Sequence, residues 1–231
     1  VAKNKSMFTG YVNTFFYTVL GTSLNLIMTI AAAYPLSKRD FRGHGGITFL
    51  FTLTMFFSGG MVPNFLLIKK LDMYNSIWAL LLPGCVSAWN LVIMRTYFQT
   101  SIPEEICESA YIDGCSNIGT LLRIVLPLSI PIIAVMVIFY GVGHWNSYFS
   151  ALLYLKDRAK YPLSLVLREI LLQGMGQEKS GAEVVDSVAD LLLFETLKYA
   201  VIIVSSVPML ILYPALQRYF VKGTMVGSLK G

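Results

Sequence analysis

The sequence predicts an all-α membrane protein, a polytopic bundle of helices, and three observations carry that prediction. Of the 231 residues, 55% are hydrophobic and 13% charged, with a mean hydropathy of +0.64. Soluble domains average roughly 45–50% apolar and about 25% charged. The chain also divides into apolar runs near the ~20 residues that a spanning helix needs, with its basic residues close to their ends. Its 14 Phe and 13 Tyr are residue types of the belts at bilayer interfaces. The net charge of +5 is not a nucleic-acid signal, because no Lys/Arg run interleaves with aromatics on a polar face. The 3 cysteines, Cys85, Cys107 and Cys115, are odd in number and lack metal-ligand spacing. They read as small buried hydrophobes rather than as a disulfide framework or zinc site.

Taken in order, Val1 to Gly10 is polar enough to lie outside the membrane, and no signal peptide is visible there. Tyr11 to Leu36 is an uncharged first span with Asn13 and Asn25 inside it. Lys38 to Gly46, with Lys38, Arg39, Arg42 and His44, is a short basic turn that belongs on the cytoplasmic side. Ile47 to Ile68 is a second span, interrupted by Ser58-Gly59-Gly60 and by Pro63-Asn64 and so expected to be broken or re-entrant. Lys69, Lys70 and Asp72 mark an aqueous loop. Ile77 to Phe98 is a third span, loosened at Pro83-Gly84, with Asn90 inside and Arg95 near its end, where a long cation can snorkel. Ser129 to Ser150 is a fourth span, ending in the cluster His144-Trp145-Asn146-Ser147-Tyr148. An outer loop follows at 151–190, with helical spacing from Leu163 to Leu172. Leu191 to Leu216 is the fifth span and Arg218 to Gly231 a basic tail. Residues 1–231 therefore read as a single transmembrane domain of five spans, with Val1 outside and the C-terminus cytoplasmic.

The longest polar interruption is Glu104 to Pro131, and the loop it marks is placed at 101–128. Ser101 with Glu104 fits a capping box, which starts a helix at Ile102 with Pro103 tolerated in its first turn. Gly114 stops that helix in a left-handed cap. Ser116 caps a second short helix, and Pro127 closes the stretch.

Glu108-Ser109-Ala110, three residues, Gly114, nine residues, Ile124, one residue and Leu126-Pro127 make a recognisable pattern. It resembles the Glu-Ala-Ala loop of ABC-importer permease subunits, with Ser109 where that family usually has Ala. Ser58 to Pro63, the Leu71 to Pro83 run, Trp145-Asn146 and the ending Phe220 to Gly231 are similar to the carbohydrate-uptake, maltose-transporter-type branch. The resemblance implies a type I permease bundle, with one more span ahead of the first one here. It implies no catalytic site, cofactor or metal in this chain, ATP and Mg being held by partner ATPase subunits. The expected partners are a second permease subunit, two ATPase subunits, an extracytoplasmic substrate-binding protein and the lipid of a bacterial cell membrane, with no nucleic acid. By the same resemblance the ATPase docks on Glu104, Glu105, Glu108, Ser109, Ala110, Asp113 and Gly114. Glu108 would meet a basic residue there, while Ala110 and Gly114 would allow close approach.

Sugars are commonly held by aromatic stacking and amide hydrogen bonds, so Asn90, Trp145, Asn146 and Tyr148 are the candidates for the substrate path. The basic residues of the outer loops are compatible with an acidic oligosaccharide. An ion-coupled carrier is the alternative, but every Asp and Glu falls outside the spans or, for Glu195, at an edge, which leaves no carboxylate relay. His44 and His144 lack a nearby nucleophile or carboxylate pair and read as a turn and an interfacial histidine.

Overall fold

The computed structural model describes residues 5–38 and 40–169, together with isolated helical positions between 199 and 214. Apart from those positions the expected fifth span lies outside the described residues, as do the basic tail and the acidic part of the outer loop. Among the described residues the chain is helical, without strands. The elements are α1 (Lys5–Ser37), α2 (His44–Phe56), α3 (Met61–Lys70), α4 (Trp78–Leu81), α5 (Ala88–Ser101) and α6 (Glu104–Ile112). They continue with α7 (Asn117–Leu128), α8 (Ile130–Trp145) and α9 (Tyr148–Tyr154). A 3-10 turn at Arg158–Lys160 and a helical stretch at 163–169 follow.

Helix α1 is the strut. It has 33 residues and is the one described helix long and apolar enough to cross a membrane unbroken. It packs most extensively on α8 and α5. Its outward face carries Phe8, Phe15, Val19 and Ile27, each at least half exposed, as suits a helix facing lipid or a partner subunit rather than water. One core joins α1, α5, α7 and α8 through Ala33, Leu36, Leu91, Met94, Phe98, Val125, Ile132 and Met136. A second, at the opposite end of the bundle from α6, gathers Tyr17, Ile68, Leu80, Leu81, Ala151, Tyr154 and Leu165.

The second span is broken as its glycines predict. Helices α2 and α3 meet at 115°, and Gly60 takes φ +84 and ψ 171, a region essentially reserved for glycine. Pro63 does not interrupt anything. It lies in the first turn of α3, where the amides have no intrahelical partner. The third span is not one loosened helix but two pieces. Pro83 and Gly84 fall in an irregular connection between α4 and α5, and Ser87 recaps the chain by accepting from the amide of Asn90. Irregular backbone at membrane depth needs internal partners, and Asn25 of α1 supplies them. Its Nδ2 donates to the carbonyls of Gly84 at 2.6 Å and Cys85 at 3.0 Å.

Helices α7 and α8 meet at 82°, and the break falls at Ser129 rather than at Pro127. Pro127 stays inside α7 because Leu121–Val125 winds as a π-helix. A proline lacks an N–H and collides with the carbonyl four residues back. The wider π turn just before Pro127 removes the demand for that bond.

At the end opposite α6, loops are stitched to α1 by side chains. Asn13 donates to the carbonyls of Ala159 and Tyr161, Tyr17 donates to Lys160, and Thr14 accepts from the amide of Leu163. Asn75, at φ +59, accepts through its side-chain oxygen from the amides of Lys156 and Asp157.

Candidate functional site

Helix α6 begins one residue after a proline, not at a capping box. Ser101 is the last residue of α5, Ile102 is extended at φ −108 and ψ 113, and Pro103 takes the N-cap position with helix starting at Glu104. The cause is steric: the ring of Pro103 drives the residue before it out of the helical region. Glu104 and Glu105 then occupy the first turn, where the helix dipole favours negative charge. At the other end Gly114 has φ +77. Its amide donates to Tyr111 at 3.0 Å and that of Cys115 donates to Ala110 at 2.9 Å. Those two bonds are the paired closure of a Schellman cap. Ser116 caps α7 by accepting from the amide of Gly119 at 3.2 Å.

The residues proposed for docking divide into two groups. Glu104, Glu105, Glu108, Ser109, Asp113 and Gly114 are exposed. Ala110 is buried and closes α6 against the chain's own body. The exposed surface is larger than the motif. Tyr111, Ile112, Ile118 and Leu122 are all more than half exposed beside the acidic residues, making an apolar ridge edged with carboxylates. Behind α6 lies a cavity of about 310 Å³, lined among others by Tyr34, Ser37, Lys38, Gln99, Glu104 and Cys107.

The substrate-path candidates are not gathered at one point. Asn90 is buried in the first turn of α5. Trp145, Asn146 and Tyr148 lie together at the turn from α8 to α9. Trp145 is buried, edge-on to Tyr11 at 6.2 Å. Asn146 is exposed and donates from its amide to the carbonyl of Val142. The guanidinium of Arg168 lies 4.6 Å above the ring of Tyr148. His144, in the last turn of α8, packs partly buried against α1, where its Nε2 donates to Asn25 Oδ1 at 2.7 Å. The space comes from Gly21, since a Cβ there would sit 2.5 Å from the imidazole. Asn25 thereby fixes both the α4–α5 break and α8.

The bundle thus has a second span broken at its glycines and, beside it, an acidic helix stopped by Gly114. The family model described as "Binding-protein-dependent transport system inner membrane component" matches residues 6–226. The chain belongs to this family. It is thus a permease subunit of an ABC transporter and not itself an enzyme. It is 44% identical over 216 residues to the polygalacturonan/rhamnogalacturonan transport system permease protein YtcP of Bacillus subtilis, covering 94% of this chain and 74% of that one. To the trehalose/maltose permease MalG of Thermococcus litoralis it is 31% identical over 227 residues, covering 95% and 74%. Among solved structures, a bacterial ABC transporter involved in the import of the acidic polysaccharide alginate matches with a TM-score of 0.83. That match has 32% identity and covers 95% of this chain and 77% of the other.

Two features of this permease escape a reading by motif. The ridge of Tyr111, Ile112, Ile118 and Leu122 was open to detection, because four large apolar residues in a polar loop have no membrane to face. Arg168 was not, because its partner Tyr148 lies 20 residues earlier on another helix.

Proposed function

We propose that this subunit forms half of the path by which an ATP-driven importer takes up acidic oligosaccharides, and that α6 is the seat of its ATPase. Membership of the family makes it a binding-protein-dependent permease rather than an ion-coupled carrier, and the similarity to sugar and oligosaccharide permeases makes it one for that substrate class. The observation that carries the docking proposal is the exposed ridge on α6 and α7. Its apolar centre and carboxylate edge suit a partner groove with basic residues around it, and the Schellman cap holds it rigid. Closure of two ATPase subunits on ATP would draw two such helices together and shift the bundle between inward-open and outward-open states, a population biased by the ligand each state binds better. A second permease subunit completes the path, and an extracytoplasmic binding protein delivers the substrate. In this reading α6, the turn before α2 and the C-terminus are cytoplasmic, and the 3-10 turn at Arg158–Lys160 is outside, in a five-span chain.

Two relatives point to the substrate: one is named for polygalacturonan and rhamnogalacturonan, and the structural neighbour imports alginate. Both substrates are acidic polysaccharides. On this chain, Arg168 over Tyr148 beside Asn146 offers a ring for stacking, an amide, and a planar cation suited to a carboxylate. Asn90 and Trp145 serve the path less directly, as buried supports.

The test is transport by the whole complex in proteoliposomes with its binding protein. Trigalacturonate should enter with ATP in the compartment that faces α6, and should do so with proton and sodium gradients collapsed. Maltotriose should compete poorly. Preference for maltotriose would overturn the acidic substrate, and uptake without ATP would overturn the ABC mechanism for this chain.

A further inference from the structure

The last four carbonyls of a helix have no partner within it, and at the end of α1 all four can be accounted for. Tyr34 accepts from the hydroxyl of Ser37 at 2.7 Å, and Pro35 from the amide of Lys38 at 3.1 Å. Leu36 accepts from Nε of Arg95 at 2.9 Å, and Ser37 from Nε2 of Gln99 at 3.2 Å. Two of the four partners are thus one turn apart on α5. Arg95 adds a positive charge at the negative end of the α1 dipole. Partly exposed near the end of its apolar run, it is anchored there through Nε.

The place of this clasp matters more than its strength. Helix α5 passes into α6 through only Ile102 and Pro103, and Ile102 is buried in the same core as Leu36 and Phe98. Between α6 and the end of α1 lies the cavity of about 310 Å³, with Glu104 and Cys107 on one side and Tyr34 and Lys38 on the other. The direct route from α6 to α1 is therefore partly empty, and one filled route runs through α5 by way of Ile102. A second, along α7 and around the bend at Ser129, joins the same core through Val125 and Ile132 and meets α1 again farther up, at the 2.7 Å hydrogen bond between Thr29 and Tyr140.

We propose that Arg95, assisted by Gln99, is a positioning residue of the transport cycle: its grip on the carbonyl end of α1 makes α1 and α5 move as one body with α6. The proposal rests on α6 being the ATPase seat. The long strut then turns with the docking helix instead of being left behind by it. Because Asn25 of the same strut holds the α4–α5 break and His144, the turn reaches the middle of the bundle.

The test uses the complete complex with the three native cysteines replaced and spin labels at Ala31 on α1 and Asn117 at the start of α7, both exposed. The distance between labels is measured without nucleotide and after trapping with ATP, magnesium and vanadate. With Arg95 present it should be the same in both states. In Arg95→Met it should differ by roughly 1–2 Å or more, the scale of a helix displacement at an interface. Arg95→Lys, which keeps a donor and a charge, should restore most of the constancy, and Gln99→Met should give a smaller change. No change in Arg95→Met, or an equal change in Arg95→Met and Arg95→Lys, overturns the proposal. Loss of the ATPase from purified Arg95→Met complex also overturns it, since the residue would then be holding the fold together. The docking reading fails separately, if Gly114→Asp leaves ATPase retention and uptake intact.

Discussion

Gly114 allows the two roles of a cap glycine to be separated by experiment. At φ +77 an L-residue is strained, by about 1–2 kcal/mol for a residue such as alanine. Part of that is offset, because replacing glycine by alanine stiffens the unfolded chain by roughly 0.4–1 kcal/mol. No atom lies within 4 Å of the position a Cβ would take, so nothing else in the chain opposes a side chain. Gly114→Ala should therefore destabilise the isolated permease by about 1 kcal/mol. Gly114→Asn and Gly114→Asp should cost less, since their short polar side chains tolerate the left-handed region. Thermal unfolding of the permease in detergent should rank Asn and Asp above Ala. In ATP-driven uptake Asp should instead fall below Ala. If the partner groove comes close to this turn, the alanine methyl is tolerated, whereas aspartate brings in a charge without a counterion at a cost of roughly 1–3 kcal/mol or more. Reversal of the two orders places the role of Gly114 at the interface. Uptake that follows stability, variant by variant, would show that the glycine is a helix stop and nothing more, and would refute the reasoning.

Three other outcomes are expected. Gly21→Ala should destabilise the bundle by roughly 1–3 kcal/mol through overpacking against His144; unfolding of Gly21→Ala/His144→Ala should show recovery if the ring is the obstacle. Asn25→Leu should cost about 1–3 kcal/mol by leaving the carbonyls of Gly84 and Cys85 unpaired, and a value near zero would mean that the break is held by something else. A cysteine at Arg158 should react with a membrane-impermeant thiol reagent in intact cells and one at His44 should not, the opposite result inverting the orientation.

What the sequence made legible is local. Gly114 and Ser116 take the cap positions expected of them, and Gly60 breaks the second span. The misreadings come from neighbours that outweighed a correct local signal. Ser101 and Glu104 have capping-box spacing, but Pro103 between them dictates an extended residue at Ile102. Pro127 looks like a stop, but a π turn ahead of it lets the helix run on to Leu128. For Arg95 and His144 the deciding partners are 59 and 119 residues away, and no window along the chain contains both. The residues proposed for docking were picked out by motif, whereas the apolar ridge beside them follows from a simpler argument about where large side chains have no reason to be.

One long-range signal was present and can be read. In α1 the residues that hold the bundle together recur every fourth position: Asn13, Tyr17, Gly21, Asn25, Thr29 and Ala33. Positions four apart are neighbours on the helix surface, and a row of them makes a ridge that winds slowly around the axis; each of these residues meets another element. Asn13 and Tyr17 bind the 3-10 region, Gly21 admits His144, Asn25 holds the α4–α5 break, Thr29 bonds Tyr140, and Ala33 is fully buried in the shared core. Phe8, Val12, Phe15, Phe16, Val19, Ile27 and Met28 are turned outward. In water such a helix would be inside out. In a bilayer the arrangement is the stable one, because lipid tails accept apolar side chains as readily as a protein interior does, and small and polar residues are what hold helices together. Hydropathy reports that α1 spans the membrane, but the period-four row reports which face looks inward. A row of this kind in an apolar run therefore marks the contact face of a membrane strut before any partner helix is known.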